Sequence, residues 1–164
     1  CSGMVRTHYA ELLADDPAWK ARAERLSAKT RELAQFLVDV LRVDAVPGRF
    51  EGTVTYHDSC AGLREMGVKA QPRALLSKVG GLTLVEMAEC EGCCGFGGTF
   101  SVKDGEISAR LADDKCRHVE ASGADAVVLG DLGCMLNIEG RLRRRGHAST
   151  QVLHVAEVLA GERP

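Results

Sequence analysis

The sequence has little excess charge of either sign and no long apolar run. Its 164 residues carry a formal net charge of −2 at pH 7, which gives no electrostatic reason to expect binding to nucleic acid or anionic membranes. No apolar run approaches the roughly 18–20 residues that a membrane span needs. We therefore expect neither a nucleic-acid-binding protein nor a membrane-spanning one.

A nucleotide-cofactor motif is also missing. No Gly-x-Gly-x-x-Gly follows a predicted strand, so nothing indicates a flavin or nicotinamide site of the dinucleotide-binding type. Apolar residues make up 45% of the chain and charged residues 27%, as is typical of a globular domain with a hydrophobic core. Because no nucleotide-cofactor site is indicated, any redox chemistry must use a bound metal group or partner proteins.

The chain does have seven cysteines, an odd number that does not suit a set of disulfide bridges. A domain of this size and apolar content needs no disulfides to fold. We therefore expect reduced thiols in a cytoplasmic protein, available as metal ligands. Thiolates are soft ligands that select iron–sulfur clusters, zinc or copper(I).

Apolar strand-like segments alternate with helical patterns along the chain. The predicted strands are 53–57, 82–86, 126–129 and 152–154. The predicted helices are 16–42, 72–79, 105–122, 135–145 and 155–160. The first helix carries one apolar stripe that includes Leu26, Leu33 and Leu37. This alternation predicts an α/β domain with a mainly parallel sheet and flanking helices.

Three cysteine segments, each close to glycine, follow predicted strands. They carry Cys60, the adjacent pair Cys93 and Cys94, and Cys134. Ligands of open parallel sheets bind beyond the carboxyl ends of the strands, so we predict that these loops converge at one site. Four thiolates can hold a cluster or a zinc ion, and the neighbouring glycines let the backbone approach a bulky inorganic core.

The other cysteines receive different interpretations. Cys90 lies three residues before Cys93, and the sequence leaves open whether it is a ligand or a loop residue near the site. Cys116 continues an apolar helical stripe with Ala112, which predicts a core position. Cys1 is expected to be unligated.

The cysteine spacing resembles the cysteine-rich CCG-domain family. That pattern is a Cys, a gap of roughly thirty-odd residues, Cys-Cys-Gly, a similar gap, and Cys-x-x-Cys. The matching segments are 56–60, 93–101, 130–134, 141–146 and 152–159. The domain occurs twice in one of the subunits of heterodisulfide reductase and in the iron–sulfur subunit of glycolate oxidase, and one branch of the family serves lactate utilization.

The resemblance implies an iron–sulfur redox component of L-lactate, or another 2-hydroxy acid, oxidation to pyruvate. Electrons would pass to other iron–sulfur or oxidoreductase subunits of a lactate oxidation complex, so it stays open whether this chain is itself the enzyme. A 4Fe–4S cluster would be held by Cys60, Cys93, Cys94 and Cys134. The alternatives are heterodisulfide-reductase-like thiol–disulfide chemistry and a non-enzymatic zinc-binding structural or docking subunit.

One departure from the family pattern concerns its last cysteine. Asn137 stands where the closing Cys-x-x-Cys would end. The four remaining cysteines suffice for a cubane 4Fe–4S cluster or a zinc ion. The family's noncubane form uses five cysteines, so it would require Cys90 or Asn137 to substitute.

Residues next to the cysteines are further candidates. His57 and Asp58 are candidate catalytic residues, because either can carry protons near a cluster or a bound carboxylate; equally, they can simply hydrogen-bond the loop. A candidate cofactor-binding loop offers backbone amides to cluster sulfides or to an anionic substrate, or it is a plain tight turn. Its residues are Gly95, Gly97, Gly98 and Thr99.

The chain is expected to have two parts. Residues 1–50 are predicted to be a helical lead-in with the tail of a preceding repeat, and residues 51–164 a complete CCG domain. The segment that begins at Cys1 parallels the one that begins at Cys134, since Met follows each cysteine within three residues. We therefore expect the 164 residues to be the later part of a longer polypeptide.

Overall fold

The fold is a four-stranded sheet covered by helices, in a computed structural model that describes residues 1–161. The strands are β1 (Arg49–Tyr56), β2 (Gly80–Leu84), β3 (Ala126–Leu129) and β4 (Gln151–His154). The helices are α1 (Ser2–Leu12), α2 (Pro17–Lys29), α3 (Leu33–Gln35), α4 (Ala70–Leu76), α5 (Phe100–Lys103), α6 (Gly105–Ser122), α7 (Leu132–Arg144) and α8 (Val155–Ala160). Phe36–Val40 and Ala61–Glu65 form π-helical turns. Among the described residues, no helix is long and apolar enough to cross a bilayer.

All four strands run parallel in the order β2-β1-β3-β4. Val54 of β1 pairs with Leu84 on one side and with Ala126 on the other, and Leu129 of β3 pairs with His154. This confirms the predicted α/β class with a parallel sheet and flanking helices. Because the strands are parallel, their carboxyl ends share one edge of the sheet.

Side chains of β3 alternate between the two faces of the sheet. Ala126 and Val128 join a core cluster with residues of α3, α4 and α8. Val127 and Leu129 join a second cluster with residues of α6 and α7. A strand buried on both faces has a continuous apolar sequence. Such a run marks the strand clearly, which is why the bounds of β3 agree with the predicted strand 126–129.

Local capping explains where the later helices begin and end. Gly123 adopts a left-handed conformation with φ of 67° and ends α6. His154 Nδ1 accepts a hydrogen bond from the Ala156 amide, and Glu157 accepts one from the His154 amide at 2.6 Å, so α8 begins at Val155.

The single helix predicted over 16–42 is wrong. It begins as expected, with Asp16 accepting hydrogen bonds from the first-turn amides, but α2 ends at Lys29. Thr30 is extended, and the Glu32 carboxylate accepts a 2.7 Å bond from the Ala34 amide to start α3. The break separates the two halves of the predicted stripe: Leu26 and Leu33 are exposed, while Leu37 packs against the core.

Candidate metal centre

The three cysteine segments meet at the carboxyl edge of the sheet. Cys60 lies just beyond β1, at the start of the π-helical turn Ala61–Glu65. Cys93 and Cys94 lie in the loop after β2. Cys134 lies in the first turn of α7, where its amide donates a 3.0 Å hydrogen bond to the capping carboxylate of Asp131. The expected convergence of loops therefore has a direct cause in the parallel topology.

The four thiols interact as two neighbouring pairs. Cys60 interacts with Cys93, and burial together with that neighbour raises the pKa of Cys60. Cys94 and Cys134 are both buried, and their sulfur atoms lie within 4.8 Å of each other. The charge of Cys94 also raises the pKa of Cys60, so the four predicted ligands lie in one region of the sheet edge. Among the described residues, the group within 4.8 Å contains Cys94 and Cys134 but not Cys60 or Cys93.

One thiolate is already favoured within the buried pair. The neighbouring Cys134 thiol lowers the pKa of Cys94 to about 5, against the opposing effect of burial, and the neighbouring His57 imidazole acts in the same direction. The proximity of Cys94 raises the pKa of Cys134. Because thiolates rather than thiols bind metals, Cys94 is prepared for ligation at neutral pH.

His57 stands against this buried pair. It follows the last residue of β1, it is 0% exposed, and neither ring nitrogen has a hydrogen-bond partner among residues 1–161. A ring nitrogen of His57 and the sulfur atoms of Cys94 and Cys134 all lie within 4.8 Å of one another. The sequence indicates His57 as a site residue, and the structure places it among the thiols.

Asp58 is turned to a different partner. Its buried carboxylate receives two 2.9 Å hydrogen bonds from the Arg73 guanidinium, which also pairs with Glu86 and stacks over the ring of Tyr56 at 5.2 Å. A bidentate pair of this kind fixes geometry as well as charge. Asp58 therefore ties the segment before Cys60 to α4.

The glycine loop wraps around Cys93 and Cys94. The Gly95 amide donates to the Cys93 sulfur at 3.3 Å, and the Gly95 carbonyl accepts a 2.7 Å bond from the Ser108 hydroxyl. Gly95, Gly97 and Gly98 all have left-handed backbones. Thr99 lies at the N-cap of α5 without a side-chain capping bond. Of this loop, the Gly95 amide is the group that faces a predicted ligand.

We expect Gly95→Ala to destabilise the protein by about 2–3 kcal/mol, from left-handed strain and a steric clash together. Gly95 has φ of 85°, and a Cβ there would overlap the backbone carbonyl oxygen of Ser108. The matched control is Gly98→Ala, which has φ of 60° but open space around its Cβ, so strain alone should cost about 1 kcal/mol. Urea unfolding of both variants measures the difference, and equal losses would contradict the steric argument.

The remaining cysteines differ in their surroundings: Cys116 belongs to the core cluster that contains Cys94 and Cys134, and Cys90 packs against that cluster. The Cys90 sulfur lies 3.9 Å from the Arg73 guanidinium, and desolvation and then Asp58 raise its pKa. Cys116 is fully buried in the core, as predicted, and Cys1 is exposed. Asn137 supports the site through its amide, which donates a 2.8 Å hydrogen bond to the Cys94 carbonyl.

Two residues of the site were missed by sequence reasoning. Arg73 holds Asp58, and Lys115, which is only 2% exposed, donates from Nζ to the Glu89 carbonyl beneath the cysteine loop. Nothing in the sequence indicates a site role for Arg73, because a helical arginine is usually solvated. The sequence gives a weak indication for Lys115, since it lies on the buried face of α6 between Ala112 and Val119.

The donor set suits a soft metal group. Four thiols and an unpartnered imidazole at one sheet edge match the ligands that zinc and iron–sulfur centres take from proteins. Among the described residues, neither ring nitrogen of His57 has a hydrogen-bond partner. The chemistry of the residues therefore fits a bound metal ion or cluster.

Comparison with known proteins gives consistent matches. A profile of the CCG cysteine-rich domain family matches residues 54–139. The chain is 49% identical over 159 residues to lactate utilization protein A of Geobacillus kaustophilus, and 50% identical over 151 residues to that of Halalkalibacterium halodurans. These alignments cover 97% and 92% of this chain but 66% and 62% of the relatives. The chain thus spans slightly less than two thirds of the length of the curated relatives it matches.

Proposed function

Because the chain belongs to the family of CCG cysteine-rich domains, we propose that it is an iron–sulfur component of the oxidation of L-lactate, or a similar 2-hydroxy acid, to pyruvate. The relatives that carry the name lactate utilization protein A supply the substrate class. When bound, a 4Fe–4S cluster would supply one-electron transfer, which the side chains of this chain cannot perform.

The observation that carries the proposal is the meeting of four thiols at one edge of the sheet. Cys60, Cys93, Cys94 and Cys134 come from three separate loops, and interactions between neighbouring thiols link them. Four thiols are rarely gathered in one region of a protein unless they bind a metal group, and a 4Fe–4S cluster requires four such ligands. These four cysteines are the ligands we assign.

The site has a buried side and an open side. Cys94 and Cys134 are buried, Cys60 is partly exposed and Cys93 is exposed. Electrons or substrate would therefore reach the centre from the side of Cys60 and Cys93. We infer that partner oxidoreductase subunits dock over this side, since nothing in this chain indicates a flavin or nicotinamide site.

Neighbouring groups would orient and tune the centre. The Gly95 amide donates to the Cys93 sulfur, and hydrogen bonds to ligand sulfurs are one of the features that set a cluster's potential. Asp58, held by Arg73, positions the segment that carries Cys60. We assign Asp58 this positioning role in place of proton transfer, because its side chain is fully buried in the ion pair.

A mononuclear zinc site is the second candidate. The compact group of His57, Cys94 and Cys134, all within 4.8 Å of one another, has the ligand types of a structural zinc centre. In that case the chain would serve as a structural or docking subunit.

Metal analysis of anaerobically purified protein decides between these candidates. We expect about four irons and four acid-labile sulfides per chain, a brown colour, and an EPR signal that appears on reduction. Addition of L-lactate with the partner subunits should then reduce the cluster. One zinc per chain without sulfide would reject the redox proposal in favour of the structural role.

A further inference from the structure

The buried imidazole of His57 makes no hydrogen bond to the described residues. The residue is 0% exposed, and in the part of the chain that the structure describes neither Nδ1 nor Nε2 has a hydrogen-bond partner. A neutral imidazole carries one N–H donor and one acceptor nitrogen, and leaving such groups unpaired in the interior is destabilising. Native proteins nearly always satisfy buried polar atoms, so an exception of this kind indicates a missing partner.

The backbone of His57 is held at the sheet edge. The His57 amide donates a 3.0 Å hydrogen bond to the Val128 carbonyl, which extends the pairing of β1 with β3 by one residue. The adjacent Asp58 cannot turn to the ring, because its carboxylate is held by Arg73. The imidazole therefore lies at the sheet edge. It is close enough to the Cys94 sulfur to lower the pKa of that thiol, but within the described residues neither ring nitrogen makes a hydrogen bond.

The nearest groups of suitable chemistry are two predicted ligands. A His57 ring nitrogen lies within 4.8 Å of the sulfur atoms of Cys94 and Cys134. Donors on a common tetrahedral ion, with metal–ligand distances of about 2.0–2.3 Å, lie about 3.5–3.8 Å apart. A shift of about 1 Å, within reach of side-chain rotation, would bring all three onto one metal atom.

We propose that His57 binds the metal centre directly through a ring nitrogen, so that the centre has mixed thiolate and imidazole ligands. This inference rests on the metal centre of the proposed function. On a zinc ion, His57 would join Cys94 and Cys134; on a 4Fe–4S cluster, where four cysteines fill the cubane form, it would be the fifth ligand that the noncubane form requires. Imidazole is an accepted ligand of both. Because a neutral imidazole adds no negative charge, it would raise the potential of a cluster relative to a further thiolate.

Titration of the reduced, metal-free protein with Co²⁺ tests the ligand without needing a cluster or lactate. The wild type should develop thiolate-to-cobalt charge transfer bands and the visible bands of a tetrahedral site. His57→Phe should bind Co²⁺ more than about 100-fold more weakly, beyond the 10–100-fold typical of losing an outer-shell partner. The control His147→Gln removes an exposed histidine and should bind like the wild type. Unchanged affinity and visible bands in His57→Phe would overturn the proposal.

Two further measurements separate ligation from a purely structural role. The metal-free His57→Phe protein should melt at the same temperature as the wild type or roughly 2–4 °C higher, because the variant removes two unpaired buried nitrogens. Marked destabilisation instead would indicate a structural histidine. If His57→Phe does not fold, wild-type protein labelled with ¹⁵N-histidine decides: pulsed EPR of the reduced cluster should show one strongly coupled labelled nitrogen, and only weak coupling would reject direct ligation.

The outcomes for the two proposals are distinguishable. Absence of iron and sulfide from the purified protein rejects the redox function but leaves the Co²⁺ result to decide on His57. Conversely, a normal cluster with no histidine nitrogen coupling retains the redox function and rejects the ligand.

Discussion

Cys94→Ser is expected to abolish cluster binding while leaving the protein folded. Cys94 is the buried thiol whose pKa is lowered to about 5, first by the neighbouring Cys134, so it is the thiolate most ready to bind a metal. A serine hydroxyl stays protonated near neutral pH and is a hard donor, unlike the soft thiolate that iron–sulfur centres select. Iron and sulfide should fall from about four of each per chain to well below one.

Circular dichroism should show an unchanged fold, since serine has nearly the size and shape of cysteine. The matched control is Cys116→Ser, which replaces another buried thiol in the same core cluster. The Cys116 sulfur lies 3.8 Å from the Ile138 carbonyl, where a serine hydroxyl can also donate. Full iron content in Cys94→Ser, or equal loss in Cys116→Ser, would contradict the assignment of ligands.

The sheet and the meeting of the cysteines could be predicted from the sequence. Four short apolar runs alternate with helical patterns, and that alternation favours parallel strands. Once the strands are parallel, the segments that carry Cys60, Cys94 and Cys134 must leave the same edge. Both steps depend on local patterns, which is why they hold in the structure.

Features set by contacts between distant residues could not be predicted. Nothing near Arg73 in the sequence indicates that its partner is Asp58, fifteen positions away on another element. The break between α2 and α3 depends on one capping carboxylate, that of Glu32, which competes with an otherwise continuous apolar stripe. The missing partner of His57 is a property of its surroundings, so only the structure can show it.

Arg73→Met is expected to cost about 3–5 kcal/mol of stability in the metal-free protein. The variant leaves the Asp58 carboxylate, whose side chain is 0% exposed, without its countercharge, and removing one partner of a buried pair has a cost of this size. The cation–π contact with Tyr56 is lost as well. With a urea dependence of about 1–3 kcal/mol per molar, the midpoint of unfolding should fall by at least about 1 M.

Two further variants separate the stability contribution of the buried Asp58–Arg73 pair from that of the half-exposed Arg73–Glu86 pair. Glu86→Gln removes the half-exposed partner of Arg73 and should cost no more than about 1 kcal/mol. The double variant Asp58→Asn with Arg73→Met removes both charges and should be more stable than Arg73→Met alone, because no ion is then buried unpaired. If Arg73→Met costs no more than Glu86→Gln, the pair does not hold the segment before Cys60, and the positioning role assigned to Asp58 fails with it.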